Sequence, residues 1–287
     1  MEVVILSSAG GWHIEELMRA VSARGLVPLV LPWEGNVARM GSEPGVTNAG
    51  HRLRDARALL PRIIPSGSLE QLIYRVDTLH RLETDGVRVM NTGRAIERTV
   101  DKAWTSAILD QAGLPTPATV VCESADDAFA AFRALGDVVV KPLFGSMGLG
   151  MSRVSDEDMA WRVFRVLETV RGVYYLQRYV EHGGRDIRAF VVGGRVLGAI
   201  ERTAPGWRTN FSRGGAVRSF ALPAEWAALA VCAAEAIGAE YAGVDLLPAQ
   251  DGMVYVLEVN GIPGWEGLQK ATGIDVAGAV VEQLLSK

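Results

Sequence analysis

Val138-Val139-Val140-Lys141-Pro142-Leu143-Phe144-Gly145-Ser146-Met147-Gly148-Leu149-Gly150 is the stretch that decides how this chain is read. An uninterrupted apolar run of this length is the pattern of a strand buried on both faces. A lysine ends it. The glycines that follow let the backbone turn tightly and approach phosphate oxygen with its N–H groups. The residues from Met151 to Val154 then read as a return strand. The spacing of Gly145, Gly148 and Gly150 is not the G-x-G-x-x-G that opens a helix in dinucleotide-binding folds, and no Gly-Lys-Ser/Thr follows as in a Walker loop. Taken alone, the stretch fits equally a phosphate-covering loop and a hairpin with a snorkelling lysine.

Two further strands carry acid. Gly243-Val244-Asp245-Leu246-Leu247 and Val256-Leu257-Glu258-Val259-Asn260 are joined by Ala249-Gln250-Asp251-Gly252, a hairpin turn signal. Glu258 and Asn260 are two apart and share a face. Asp245, Glu258 and Asn260 would supply oxygen ligands for a hard cation. The competing reading is two strand-end carboxylates satisfied within a core. Trp207-Arg208-Thr209-Asn210-Phe211-Ser212-Arg213-Gly214-Gly215 places two guanidiniums in a short loop, suited to bidentate contact with phosphate or carboxylate, or to a solvated surface turn. Gln177-Arg178-Tyr179-Val180-Glu181, running into Gly183-Gly184, reads as a strand that breaks at a hinge.

Around these stretches the pattern is mixed α/β. The residues from Val3 to Leu6 and from Val27 to Leu31 flank a helix from Ile14 to Arg24, a β-α-β opening with Ile14, Leu17, Met18 and Val21 inward. Residues 34–57 are polar and glycine-rich, mostly loop. Strand-like runs recur from Leu59 to Ile64 and from Val87 to Asn91. A helix from Ser68 to Asp85 would bury Leu69, Leu72, Ile73, Val76 and Leu79. One helix from Ala95 to Ala112 precedes the rigid Leu114-Pro115-Thr116-Pro117 boundary. Later helices are expected over 125–135, 157–169, 223–237 and 274–285, and strands over 174–179, 186–192 and 195–201.

The chain has 287 residues, room for one large or two to three small domains. Basic residues form no block, and the formal net charge is −4, which argues against a nucleic-acid partner. Cys122 and Cys232 have no zinc spacing and read as reduced structural thiols, Cys232 on a packed helix face. With no signal-peptide pattern and no long apolar run, the expected protein is soluble and cytoplasmic, without a membrane partner.

Together the lysines, glycine loop and strand carboxylates are similar to the ATP-grasp superfamily, and within it to the RimK-like α-L-glutamate ligases. The resemblance is carried in order by Asp101-Lys102, Val140-Lys141, Gln177-Arg178-Tyr179-Val180, Asp186-Ile187-Arg188, Ala199-Ile200-Glu201-Arg202, Arg208-Thr209-Asn210, Arg213-Gly214-Gly215, Ala242-Gly243-Val244-Asp245 and Glu258-Val259-Asn260. Pro263-Gly264, Glu266-Gly267 and Thr272-Gly273-Ile274-Asp275 continue it. It implies an ATP-grasp fold: an N-terminal open α/β domain (1–94), then two α+β subdomains that grip ATP, one with the glycine lid (95–180) and one with metal ligands (181–287).

The resemblance also implies roles. Lys102, Lys141, Gly145, Ser146 and Gly148 would meet the phosphates, and Gln177, Arg178, Tyr179 and Val180 the adenine. Asp186 would lie beside the ribose. Arg208, Thr209, Asn210 and Arg213 would stand near the phosphates, with Arg208, Asn210 and Arg213 stabilising the intermediate. Asp245, Glu258 and Asn260 would bind Mg²⁺ or Mn²⁺. The implied reaction is amide formation from L-glutamate and a carboxylate acceptor through an acyl phosphate. Family members often carry Glu at the position of Arg178, and the usual Asn-Ala-Ser-Pro-Gly reads Asn260-Gly261-Ile262-Pro263-Gly264 before Trp265. That variant and Ser68-Leu69-Glu70-Gln71 look more like relatives acting on small cofactors such as a tetrahydromethanopterin-type pterin. A ligase for another amino acid or a protein C-terminus, and a non-catalytic nucleotide-binding protein, are the alternatives. A homo-oligomer is compatible with all of them.

Overall fold

A computed structural model describes residues 1–41, 45–145, 148–209 and 216–286. Ser146, Asn210 and Arg213, three of the residues singled out above, lie outside them.

The N-terminal region starts with β1 (Glu2–Leu6), α1 (Trp12–Ser22) and β2 (Val27–Leu31). β1 is apolar on both faces because it is the middle strand of a parallel sheet, in the order β2-β1-β6. α1 buries Ile14, Leu17, Ala20 and Val21, while Met18 remains at the exposed edge. Residues 34–57, expected to be mostly loop, instead hold a small antiparallel sheet of β3 (Asn36–Arg39), β4 (Gly45–Asn48) and β5 (His51–Arg52). Buried Asn48 donates to Asn36 Oδ1 across it at 2.7 Å, a polar contact that no hydrophobic pattern announces. β6 (Ala58–Pro61) completes the parallel sheet.

α2 (Leu69–Thr84) opens with a capping box in which Ser68 and Gln71 satisfy each other's backbone N–H groups. Its buried residues are Arg75, Thr78, Leu79 and Leu82, whereas Leu69 and Ile73 are exposed. The expected inward face is therefore corrected: the helix packs by its C-terminal half. The run from Val87 to Asn91 makes only one bridge, between Leu59 and Val89. The single helix expected over 95–112 is two, α3 (Gly93–Val100) and α4 (Lys102–Gln111). Asp101 separates them and accepts from the amides of Ala103 and Trp104, so an N-cap interrupts an otherwise helical pattern.

The central sheet contains β7 (Thr119–Cys122), β8 (Val138–Lys141), β9 (Ser152–Val154) and β10 (Tyr174–Arg178) in the order β7-β10-β8-β9. α5 (Ala125–Leu135) and α6 (Glu157–Thr169) cover one face. Phe132, Val138, Val140, Phe164, Tyr174 and Leu176 form a core of its own.

The C-terminal sheet is antiparallel: β11 (Arg185–Val192), β12 (Arg195–Thr203), β13 (Ala216–Ser219), β14 (Tyr241–Pro248) and β15 (Val254–Asn260), in the order β13-β12-β11-β14-β15. α7 (Ala224–Ile237) and α4 pack on one face of it through Ala230, Ala233, Ile237, Ile108 and Leu109. Cys232 lies on the outer side of α7 and is exposed, which corrects the packed-face reading. α8 (Glu266–Thr272) and α9 (Val276–Leu285) end the chain. α9 packs against α1, and its Val276, Val280 and Leu284 share one core with Val3 and Ile5 of β1 and Phe190 of β11. The N-terminal and C-terminal sheets are thus joined through a common apolar interior. Among the described residues no helix is long and apolar enough to cross a membrane.

Candidate active site

Two lysines from different elements meet one carboxylate. Lys141 ends β8, where the pleat releases it from the core, and Lys102 opens α4 directly after its Asp101 cap. Both line a narrow cleft with Glu258, Thr99, Ser106 and Tyr175. Lys141 Nζ donates to Gln177 Oε1 at 2.6 Å. The amide nitrogen of Gln177 donates in turn to Thr119 Oγ1 at 3.0 Å and the Tyr175 hydroxyl at 3.3 Å. Lys102 Nζ donates to the Gly145 carbonyl at 2.6 Å, so the ammonium touches the start of the glycine loop. Burial pushes the pKa of Lys141 down, opposed by the negative charges of Glu258 and Asp245. Burial does the same to Lys102, with Lys141 adding to the fall and Glu258 and Asp101 opposing it. Neither ammonium has a carboxylate as its direct hydrogen-bond partner among these contacts, and each is held by neutral acceptors beside Glu258.

Asp245 and Glu258 are cross-strand partners on β14 and β15, and Asn260 pairs with Gly243 one step along the same face. Pairing then moves to Val256 opposite Leu246, leaving Leu257 as the extra residue of a β-bulge beside the cleft. Asp245 is braced by arginines that sequence proximity could not show. Arg188 on β11 binds both its oxygens at 2.6 Å, and Arg202 on β12 reaches Oδ2 at 2.9 Å. Burial alone would raise the pKa of Asp245; the two guanidiniums outweigh it and hold the carboxyl at about 2. Arg202 also grips Asp186 with two bonds of 2.6 and 2.7 Å, and Thr209 donates to Asp186 Oδ2 at 2.6 Å. Arg188, Asp245, Arg202, Asp186 and Thr209 form one ladder across three strands. Arg188 and Arg202 were named in sequence without a role; only the pairing of β11 with β12 and β14 supplies it.

At the hinge, the amides of Arg178 and Tyr179 already donate to the carbonyls of Ala118 and Asp137, both at 2.8 Å. Among the described residues the Val180 amide has no such acceptor. The Tyr179 ring is covered by the Arg153 guanidinium at 3.5 Å and meets Trp207 edge-on. Arg208 stacks on Trp207 and donates to the carbonyl of Met151, which directly follows the glycine loop. Gly148 and Gly150 have φ of 69° and 74°, the left-handed region that favours glycine. Asn260 Oδ1 accepts from the Ile262 amide at 3.0 Å. Gly261 has a steric reason: a Cβ there would meet Thr99 Oγ1 at 2.8 Å.

Two antiparallel sheets that bring lysines, a glycine loop and carboxylates to one cleft define the ATP-grasp class, enzymes that use ATP to join a carboxylate to an amine. Residues 99–284 match the RimK-like ATP-grasp domain. The chain is 35% identical to the tetrahydromethanopterin:alpha-L-glutamate ligase of Methanosarcina acetivorans, over 98% of this chain and 97% of that one. It is 31% identical to the enzyme of the same name from Methanococcus maripaludis, over 100% and 98%. Among solved structures, the ATP-grasp ligase PsnB with minimal precursor, Mg and ADP superposes with a TM-score of 0.77 at 21% identity, covering 99% of this chain and 97% of that one. A RimK domain ATP-grasp protein from Sphaerobacter thermophilus gives 0.79 at 22% identity, with full coverage of both. The chain belongs to the RimK-like ATP-grasp family, and it is an ATP-dependent carboxylate–amine ligase.

Proposed function

We propose that this ligase adds L-glutamate through its amino group to a carboxylate on a small cofactor of the tetrahydromethanopterin kind, with ATP and Mg²⁺. The observation that carries the chemistry is the meeting of Lys102, Lys141 and Glu258 at one cleft between two sheets. The substrate class rests on the full-length similarity to the two archaeal ligases.

The units 1–94, 95–180 and 181–287 supply an N-terminal platform, a lysine-bearing cover and a carboxylate-bearing base. Gly145, Ser146 and Gly148 approach the phosphates with main-chain N–H groups. Lys102 and Lys141 neutralise phosphate charge, and a buried ammonium is worth more there than in water. Gln177 fixes Lys141 in place. Arg178 and Tyr179 brace the hinge backbone, and the free amide of Val180 suits an adenine nitrogen. Asp186 holds Arg202 and Thr209 with three contacts, and its remaining lone-pair site suits a ribose hydroxyl.

The donor chemistry at Asp245, Glu258 and Asn260 fits Mg²⁺, which takes oxygen ligands and keeps several waters. A carboxylate offers about four lone-pair sites. The arginine contacts of Asp245 occupy three, leaving one for a cation. Among the described residues no cluster of three His, Cys, Asp or Glu side chains could hold a metal alone, so the asparagine and the nucleotide phosphates complete the set. When bound, the ion would offset phosphate charge.

In the first step an acceptor carboxylate oxygen attacks the γ-phosphorus, the bond to the β–γ bridging oxygen breaks, and ADP leaves. In the second, the amine of glutamate attacks the acyl carbon, loses a proton, and expels phosphate. Arg208, Asn210 and Arg213 stabilise the charge of the intermediate; no nucleophilic side chain is required. Acceptor labelled with heavy oxygen in its carboxylate transfers one label to the released phosphate. AMP with pyrophosphate, or unlabelled phosphate beside ADP, overturns this mechanism.

A further inference from the structure

The N-terminal sheet has a second feature that the nucleotide cleft does not use. In the order β2-β1-β6 the chain leaves β1 towards one side and arrives at β6 on the other. Such a reversal opens a crevice at the carboxyl ends of the strands, where ligands bind in open α/β sheets. At the end of β1, the exposed Gly10 and Gly11 lead into α1, whose N-terminus has no side-chain cap. Among the described residues the amides of Trp12 and His13 have no acceptor.

At the end of β6 stands Arg62, only 2% exposed. Its Nη2 donates to the Pro263 carbonyl at 3.2 Å, and its guanidinium lies 4.6 Å over the Trp265 ring. Its Nε and Nη1 and Trp265 Nε1 of the same aromatic cluster are buried without a well-aligned hydrogen-bond partner; the Tyr241 hydroxyl, whose pKa burial raises, lies close enough to Arg62 for the guanidinium to oppose that rise. His13 Nε2 accepts from the Trp265 amide at 3.0 Å, so Arg62 and the first turn of α1 hold the same short loop. Gly264 faces His13, where a Cβ would come within 3.4 Å of Nε2. A buried guanidinium with open donors is costly unless an anion meets it. Arginine presents those donors in the fork that matches a carboxylate.

We propose that this crevice is the subsite for a non-reacting carboxylate of the substrates, with Arg62 as its counter-ion and the first-turn amides of α1 as further donors. The assignment rests on the ligase reading above and adds where a substrate is held. Arg62 touches the Pro263–Trp265 loop, which begins three residues after Asn260. The carboxylate can belong to glutamate or to the acceptor, and kinetics separates the two.

The test uses the full chain and the variants Arg62→Met and Arg62→Lys, with L-glutamate and a tetrahydromethanopterin acceptor. Arg62→Met is expected to raise the KM of one of the two substrates at least tenfold, to leave the KM for ATP within twofold, and to keep or raise the Tm, because a strained charge is removed. Arg62→Lys recovers part of the KM. A rise for glutamate places its carboxylate here; a rise for the acceptor places the acceptor's. A lower Tm with both KM values unchanged makes Arg62 a structural pin and overturns the subsite. If the wild type releases no ADP with these substrates, the substrate reading fails instead. The subsite is then measured by thermal shift with succinate, citrate and L-aspartate, where equal shifts in wild type and Arg62→Met overturn it and shifts lost in the variant uphold it.

Discussion

The central and C-terminal sheets end at the same cleft, yet they hold their charges in opposite ways. Lys141 and Lys102 rest on neutral acceptors, Gln177 and the Gly145 carbonyl. Asp245 and Asp186 are locked by arginines from neighbouring strands. The first arrangement leaves positive charge available for an incoming anion, and burial pulls the lysine pKa values down as a result. The second neutralises charge in place and makes the strands rigid. The cores differ in parallel. The core of the central sheet is built with α5 and α6, whereas the C-terminal sheet shares its interior with β1 through α9. Lys141 thus stands on a sheet with a core of its own, whereas Lys102, on α4, belongs with the neutralised aspartates to the C-terminal body.

The comparison breaks most visibly at Asp245. Asp245→Asn strands two guanidiniums in the interior, and losing one partner of a buried ion pair costs about 3–5 kcal/mol. Denaturant unfolding followed by tryptophan fluorescence should show that loss, together with loss of ADP release. Phe164→Ala should cost a similar ~3–5 kcal/mol, as is usual for a buried phenylalanine. There the damage should stay local: hydrogen exchange quickens over β7–β10 and not over β14, and equal acceleration in both would show that the central core is not independent. Lys141→Met should reduce ADP release roughly 100-fold, the scale of losing one preorganised group aimed at developing charge. Its Tm should hardly change, since a desolvated ammonium is removed together with its hydrogen bond to Gln177.

pH sharpens the same contrast. The folded pKa of Asp245, about 2, lies below its ordinary value near 4. Its contribution to stability is therefore complete above pH 4 and is lost as the pH falls towards 2. An acid titration of Tm should show this limb in the wild type and a shallower one in Asp245→Asn. The lysines act at the other end. With their pKa values lowered, nucleotide turnover should decline at a pH below the ordinary lysine range of ~10.4, and an unshifted alkaline limb would place the ammoniums in water.

What the sequence discloses divides along physical lines. α5 and α6 begin and end where their caps and periodicity place them, because Ser124 and Asp156 cap their first turns locally. β8 and β10 are legible because they are apolar and buried on both faces, whereas β7, Thr119–Cys122, is partly exposed and was not read as a strand. Asp101 was named beside Lys102, but its cap was not read, because one acid inside an amphipathic run looks like a surface residue until its side chain turns back to the amides. Leu69 and Ile73 show the opposite error: an apolar stripe declares a helix but not which half of it is covered. Lys102, Lys141 and Glu258 could be singled out as residues, yet their convergence depends on strand order. The arginine ladder was beyond local reading altogether, since Arg188 and Asp245 stand 57 residues apart.

The ladder has an electrical consequence. Its two arginines and two aspartates cancel, so its field falls off faster with distance than that of a net charge. At the cleft itself two ammoniums face Glu258, a small positive excess set in a partly buried site. Little long-range attraction then exists for mobile ions to screen, although the Debye length is already ~10 Å in 0.1 M salt. Nucleotide capture by this enzyme should accordingly depend only weakly on ionic strength, with recognition resting on short-range contacts made after arrival.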